Sequence, residues 1–148
     1  MSQSCNVKQH KQKQIMTKKI VLMSIILGSV ALGTQAQEIV VPDVVKSALT
    51  NAYPKAKDVE WDKEGKDFEA SFENGKEELS VVFDAKGKIL ETEKEIEFST
   101  LPDTIKMALK GKKVSEAAII TKNGKTFYEA EVGGKDLIFD TQGKPSKL

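Results

Sequence analysis

Two segments of this 148-residue chain repeat each other sixty positions apart. Residues 42–49 read Pro-Asp-Val-Val-Lys-Ser-Ala-Leu, and residues 102–109 read Pro-Asp-Thr-Ile-Lys-Met-Ala-Leu. Further pairs follow in the same order with an offset that shrinks to 56: 69–72 with 129–132, and 83–88 with 139–144. Two copies are too few for a solenoid, which needs about three or more. The chain is therefore predicted to use one small supersecondary unit twice.

Each copy has the pattern of one helix followed by several strands. Pro42 and Pro102 favour helix starts, because proline lacks an N–H that the first turn would leave unpaired. Apolar residues then recur at helical spacing, and Pro54 and Gly111 predict where the two helices end. Beyond them apolar and polar residues alternate with a period of two, as in Phe68–Glu73, which is typical of half-buried strands.

The strand connections are short and rich in turn residues. Asn-Gly occurs at 74–75 and 123–124, and Asp-x-x-Gly occurs at 84–87 and 140–143. Such sequences favour tight hairpin turns, and they leave no room for parallel crossovers. The prediction is an α+β fold made of a tandem pair of helix-plus-antiparallel-meander repeats, with the helices packed on one face of the sheet. That face is predicted to bury Phe68, Phe72, Val81, Phe83, Tyr128 and Val132.

The amino-terminal segment has the features of a secretory signal peptide. Five lysines and no acid precede an apolar stretch, Ile20–Leu32, which ends near the small residues of Thr34-Gln35-Ala36. The 13-residue apolar stretch is short of the roughly 20 residues that span a bilayer. We expect cleavage after Ala36, and Met16 offers an alternative, more typical start of the signal.

The expected organisation is a signal peptide at 1–36, a first repeat at 37–99 and a second at 100–148, the repeats together forming one domain. Residues 37–148 carry 18 lysines and 22 acids, a net charge of −4. We therefore expect a periplasmic or secreted protein without nucleic-acid binding, and without membrane contact after cleavage.

The positions of cysteine and histidine limit the catalytic and metal-binding chemistry available to this chain. The only cysteine and the only histidine are Cys5 and His10, both within the predicted signal peptide. Zinc and copper sites, and serine or cysteine nucleophiles with a histidine base, draw on these residues. We expect no enzymatic activity, no catalytic residues, no metal centre and no cofactor.

The polar side of the alternation is the candidate functional surface. If 91–98 is a strand, Glu91, Glu93, Glu95 and Glu97 all point one way. One interpretation is a solvated face whose charges prevent edge aggregation; the other is an acidic platform for a basic protein partner or for cations. The candidate partner-binding residues are Glu69, Ser71, Glu73, Ser80, Phe127, Glu129 and Glu131.

The aromatic residues divide between the two faces. Trp61 and Tyr128 are predicted to lie in the core. Phe127 alternates with Tyr128 and falls beside Glu129 and Glu131, so it is either an exposed anchor for a partner or, if the alternation is displaced by one residue, part of the core.

The order of these motifs resembles a known family. Pro-x-x-Φ-x-x-Ala-Leu, then Phe/Tyr-Glu-Ala-x-Φ, then Φ-Phe-Asp-x-x-Gly-Lys, each twice behind a signal peptide, is similar to PepSY-like, β-lactamase-inhibitor-like proteins. The resemblance covers essentially all of Pro42–Lys144. It implies two small α+β units side by side and a binding or inhibitory role rather than catalysis, with no catalytic residues to carry over.

Three functions follow as hypotheses. The first is a non-catalytic exported module that binds an envelope or secreted protein, such as a peptidase or hydrolase, with the exposed sheet face. The alternative is a periplasmic module that holds a small ligand or cations on an acidic sheet face, and a third is a structural envelope protein without a soluble ligand.

Overall fold

The computed structural model describes residues 39–148, which lie within one compact unit, Ala36–Leu148. The predicted signal peptide and its cleavage site lie outside the described residues. Two α-helices, seven strands and one 3-10 turn make up the described part of the chain. In chain order they are α1 Asp43–Ala52, β1 Ala56–Glu64, β2 Asp67–Asn74, β3 Glu77–Phe83, β4 Ile89–Glu95, the 3-10 turn Phe98–Thr100, α2 Asp103–Ala108, β5 Val114–Lys122, β6 Lys125–Val132 and β7 Asp136–Asp140.

The seven strands form a single sheet in which each strand pairs with the next in the sequence, in the order β1 to β7. All six pairings are antiparallel, as the short connections predict. Strand β4 pairs with β5 across the 3-10 turn and α2, so the sheet is continuous between the two halves of the chain. The α+β class and the antiparallel sheet are confirmed.

Both helices begin directly after a proline. The Pro42 carbonyl accepts hydrogen bonds from the N–H groups of Val45 and Lys46, at 2.9 and 3.1 Å. The Pro102 carbonyl accepts the equivalent two bonds, both at 3.0 Å. The prolines are extended, with ψ of 143° and 144°, so they precede the first helical residue instead of occupying it. The rigid φ of proline still fixes the direction in which the chain enters each helix.

The two helices cover the same face of the sheet, which we call the helix face. Val45 and Leu49 of α1 pack on β2 and β3, and Ile105 of α2 packs on β5 to β7. The register carries one face across the sheet, because Val81 lies opposite Thr92 and Thr92 lies opposite Thr121. Side chains directly opposite each other in antiparallel strands point the same way. Two apolar clusters therefore lie side by side on one face.

The predicted helix-face residues lie in these clusters. Phe68, Phe72, Val81 and Phe83 are buried in the first. Tyr128 and Val132 pack on the second and are partly buried. Trp61 packs on the first cluster with its ring centroid 6.1 Å from that of Phe83, so Trp61 and Tyr128 are core aromatics as predicted.

Two turns of identical geometry contact the helices. The Asp84 carboxylate accepts hydrogen bonds from the backbone N–H groups of Lys86 and Lys88, at 2.8 and 2.9 Å. The Asp140 carboxylate accepts two equivalent bonds, both at 2.9 Å, at the end of β7. The glycines that close these turns have φ near +81° and lie so close to α1 and α2 that a Cβ would not fit. The turns thus fix each helix against the end of a strand.

Some predicted boundaries are wrong. Strand β4 ends at Glu95, so Glu97 does not continue the row of acids. The second helix ends at Ala108, three residues before Gly111, because the next residues form a turn. Ends of helices and strands depend on the following turn as much as on local propensity.

Candidate partner-binding face

The face opposite the helices, here called the open face, is strongly acidic. In the described residues neither α-helix packs on this side. The register assigns to it at least one acid from each of the seven strands, with Glu78 as the acid of β3. Lys57, Lys122 and Lys125 are the lysines of this face within β1 to β7. The acids of β2 and of β4 to β7 on this face include Glu69, Glu91, Glu93, Glu95, Glu116, Glu129, Glu131 and Asp136.

The structure places all seven candidate residues on the open face. Glu69, Ser71 and Glu73 lie on β2, Ser80 lies on β3, and the rest lie on β6. Glu69 and Ser80 are joined, since the Ser80 hydroxyl donates a hydrogen bond to the Glu69 carboxylate. Phe127, Glu129 and Glu131 form a separate group three strands from β3, with β4 and β5 between them.

A transverse row of side chains joins these two groups. Ser80 lies opposite Glu93 of β4, Glu93 lies opposite Ile120 of β5, and Ile120 lies opposite Phe127 of β6. Ser71 extends the row to β2. Adjacent strands lie about 4.8 Å apart, so the row connects both groups of candidate residues within one continuous surface.

The centre of the open face is buried, whereas a solvated face would be exposed there. Ser80 and Glu93 are 3% and 7% exposed, and Ile120 and Ala118 are also buried. The uninterrupted apolar run Ala117-Ala118-Ile119-Ile120 is the sequence signal for β5, because a strand buried on both faces does not alternate. Phe127 is half-buried, at the border between this apolar centre and the acids of β6.

Burial and crowding change the ionisation of the central acids. Burial raises the pKa of Glu93 to about 8, and the negative charges of Glu129 and Glu69 act in the same direction. Burial raises the pKa of Glu129 to about 7, with Asp136 and Glu116 as further causes. At neutral pH the centre of the open face therefore carries less negative charge than its carboxyl groups imply.

Glu69 ionises under two opposing influences. Burial raises its pKa, whereas the hydrogen bond from Ser80 stabilises the carboxylate and lowers it. The net shift is upward. Glu91 has a direct counterion, because Lys122 Nζ lies 2.7 Å from its Oε2 atom.

Three acids on adjacent strands lie directly opposite one another. Glu116 of β5 faces Glu131 of β6, and Glu131 faces Asp136 of β7. Like charges directly opposite in a sheet are destabilising. The Ser115 hydroxyl donates a 2.6 Å hydrogen bond to Glu131, and burial raises the pKa of Asp136. This end of the face thus brings three acidic side chains together on adjacent strands.

Residues 39–148 contain neither a metal-binding cluster nor a membrane-spanning helix. No group of three or more histidine, cysteine, aspartate or glutamate side chains in this range has the geometry of a metal site. In the same range no helix is long and apolar enough to cross a membrane.

Comparison with known proteins identifies the family. The family model described as "Putative beta-lactamase-inhibitor-like, PepSY-like" matches residues 33–91 and 66–146. These matches cover most of the chain, and the chain belongs to this family. The resemblance inferred from the sequence motifs is confirmed.

Solved structures show the same fold at low identity. A BLIP-like protein from Bacteroides fragilis is 23% identical with a TM-score of 0.61, covering 75% of this chain and 86% of that one. A DUF2874 family protein from Bacteroides uniformis is 19% identical with a TM-score of 0.64, covering 72% and 86%. A Bacteroides eggerthii structure described as "putative periplasmic proteins" is 17% identical with a TM-score of 0.66, covering 73% and 87%. A search of curated proteins found no match.

Proposed function

We propose that this chain is an exported, non-catalytic module of the inhibitor-like type, which binds an envelope or secreted protein with its open face. The observation that carries the proposal is the difference between the two faces of one sheet. The helix face is filled by two apolar clusters and two helices, whereas the open face has no helix among residues 39–148. It presents acids around apolar side chains, an arrangement that suits a protein surface.

A basic protein partner fits the charge of this surface. Many carboxyl groups and few lysines face outward there, so the local potential favours a lysine- or arginine-rich loop. Phe127 is half-buried beside Glu129, with Val82 and Ile138 as further partly exposed apolar side chains of the same face. Aromatic side chains at the centre of an interface contribute more binding energy than rim charges do.

The fold suggests how the surface is built. We infer that the halves 37–99 and 100–148 are structural equivalents, each contributing a helix and a meander to one sheet. The paired prolines at the helix starts and the paired Asp-x-x-Gly turns support this, because their hydrogen bonds are equivalent in both halves. Two equivalent units side by side would give one wide surface from short local strands.

Export is part of the proposal. The features of residues 1–36 support a signal peptide, and the Bacteroides eggerthii neighbour is described as periplasmic. A periplasmic or secreted location would bring the open face into contact with envelope peptidases and hydrolases, the partner class that the family name suggests.

The proposal is tested by capture from the native envelope fraction, with identification of the bound protein and measurement of its affinity. We expect Phe127→Ala to weaken binding more than Glu129→Gln or Glu131→Gln, with little loss of thermal stability. Failure to bind or inhibit any member of a panel of envelope peptidases and hydrolases would count against the proposal. A large drop in melting temperature for Phe127→Ala would instead make Phe127 a core residue.

A further inference from the structure

Glu93 occupies an unusual position for a carboxyl group. It lies on the central strand β4, in the middle of the transverse row of the open face, and is 7% exposed. Its neighbours directly opposite are Ser80 and Ile120, neither of which carries charge. A buried carboxylate normally has a cation or several hydrogen-bond donors beside it.

Within residues 39–148, no hydrogen bond or ion pair joins the Glu93 carboxyl to another side chain. The nearby lysines pair with other acids: Lys122 with Glu91 at 2.7 Å, and Lys94, on the helix face of the same strand, with Glu77 at 2.6 Å. Every fully buried polar side-chain atom among these residues has a hydrogen-bond partner. Because the Glu93 carboxyl has no such partner, its oxygens are not fully buried and keep some exposure on the open face.

The charges that face Glu93 come from three other strands and from neighbours on its own strand. All but one are acidic, and the helices contribute none because they pack on the opposite face. These groups are Glu69 from β2, Glu91 and Glu95 from β4, Glu116 and Lys122 from β5, and Glu129 from β6. Together these charges disfavour ionisation of the Glu93 carboxyl group and favour a cation beside it.

We propose that Glu93 anchors the partner by accepting one lysine or arginine side chain, and that its carboxyl group releases a proton to solvent as that side chain docks. This rests on the proposed function, since it specifies what the open face recognises. Val82, which is partly exposed and lies diagonally from Glu93 on β3, suits the methylene stem of such a side chain, and the carboxylate suits its charged end. The raised pKa of about 8 means that the proton is present before docking at neutral pH.

The consequence is binding that depends on pH in one direction. Because the docked state holds Glu93 ionised, affinity for a basic partner rises with pH, and protons are released on binding. The same linkage applies more weakly to Glu129, whose pKa is about 7. A face whose acids were fully ionised beforehand would show neither effect near neutral pH.

The test uses protein produced from the full 148-residue chain and a capped octapeptide of alternating lysine and glycine. Calorimetry at pH 7 in phosphate and in imidazole separates the heat of binding from the heat of proton release. We expect about one proton released per peptide, and affinity about twentyfold higher at pH 8.5 than at pH 6.5. The same peptide with glutamine in place of lysine should not bind.

Variants assign the effect to one residue. Glu93→Gln should abolish the proton release and flatten the pH dependence, whereas Glu77→Gln, the same chemical change on the helix face of β3, should retain both. If Glu93→Gln fails to fold, the carboxyl carbon resonance of Glu93 in the unmodified protein serves instead, since it should shift to the ionised value when peptide is added at pH 7.

Three outcomes would overturn the anchor: proton release that persists in Glu93→Gln, affinity that does not change between pH 6.5 and 8.5, or the same proton release with calcium chloride in place of peptide. If an envelope protein is captured but its affinity changes neither with Glu93→Gln nor with pH, the anchor is rejected and the proposed function stays intact. Peptide binding with proton release, but no envelope partner, would support the anchor and reject the proposed function.

Discussion

The two faces of this sheet are built by the same seven strands, yet they differ in which side chains are buried and in how much charge surrounds them. On the helix face, side chains such as Phe83 and Val81 are fully buried beneath helices. On the open face, Ile120 is equally buried but lies in a row with Glu93 and Ser80. Apolar burial alone therefore specifies the helix face, whereas the open face combines burial with charge that destabilises the free protein.

The largest expected difference between the faces is the cost of removing a phenylalanine. Phe83→Ala should lower the free energy of unfolding by about 4 kcal/mol, because it empties a fully buried site that contacts Trp61. Phe127→Ala on the open face should cost about 1 kcal/mol, since Phe127 is half-buried. Urea unfolding of both variants measures the difference, and equal losses would show that both faces are core.

The turns that contact the helices give the next largest effect. Gly87 has a φ of +81°, and a Cβ there would lie 2.9 Å from the Val44 carbonyl oxygen. Gly87→Ala should therefore cost about 2–3 kcal/mol, from left-handed strain and a clash with backbone. Gly75→Ala is the matched control, because its φ is +76° and no atom lies within 4 Å of its Cβ position. That control should cost about 1 kcal/mol, and equal costs would exclude a role for the helix contact.

The pH dependence of stability separates the open face from the helix face. The pKa of Glu93 in the folded protein, about 8, lies above its ordinary value of 4.5. The folded state therefore binds the proton more tightly, and stability that is complete below about pH 4.5 is lost as pH rises through 8. Over this range the ionisation of Glu93 removes about 2–3 kcal/mol, so we expect the melting temperature to fall by roughly 10 °C between pH 6 and pH 9.

Glu93→Gln is the control for this pH effect. It should reduce the fall in melting temperature, leaving the smaller contribution of Glu129, whose pKa is about 7. A melting temperature that rises over the same range in the unmodified protein would contradict the burial of these carboxyl groups.

The smallest expected effect concerns the acids opposite one another on β5 to β7. Asp136→Asn removes one like charge facing Glu131 and should stabilise the protein by about 0.2–0.5 kcal/mol at low salt. Asp43→Asn makes the same chemical change in the first turn of α1, where a negative charge is favourable, so it should destabilise by a similar amount. Chemical unfolding at low and high salt tests the opposite signs, and both differences should shrink with salt.

Much of the helix face could be predicted because its pattern depends on residues close together in the sequence. The alternation of Phe68, Phe72, Val81 and Phe83 with polar residues assigns one side of each strand, and those residues are buried as predicted. The turn sequences predicted antiparallel neighbours, which the pairing confirms. Helix ends were predicted less well, since α2 stops at Ala108 before the glycine that marked its end.

The open face could be predicted in its members but not in its centre. Period-two alternation assigned Glu69, Ser71, Glu73 and Ser80 to the side where the register places them. Ile120 and Ala118 were missed as part of this face, because an unbroken apolar run does not state which of its residues point to which side.

The sequence by itself determined the antiparallel meander and the side of the sheet on which each residue of β2 and β6 falls, because these depend on neighbours a few positions away. Only the tertiary structure decided that β4 lies between β3 and β5, which sets Glu93 between Ser80 and Ile120 and near Glu129. Ionisation depends on burial and on charges brought together from distant segments. The chemistry of the open face is therefore a property of the folded sheet.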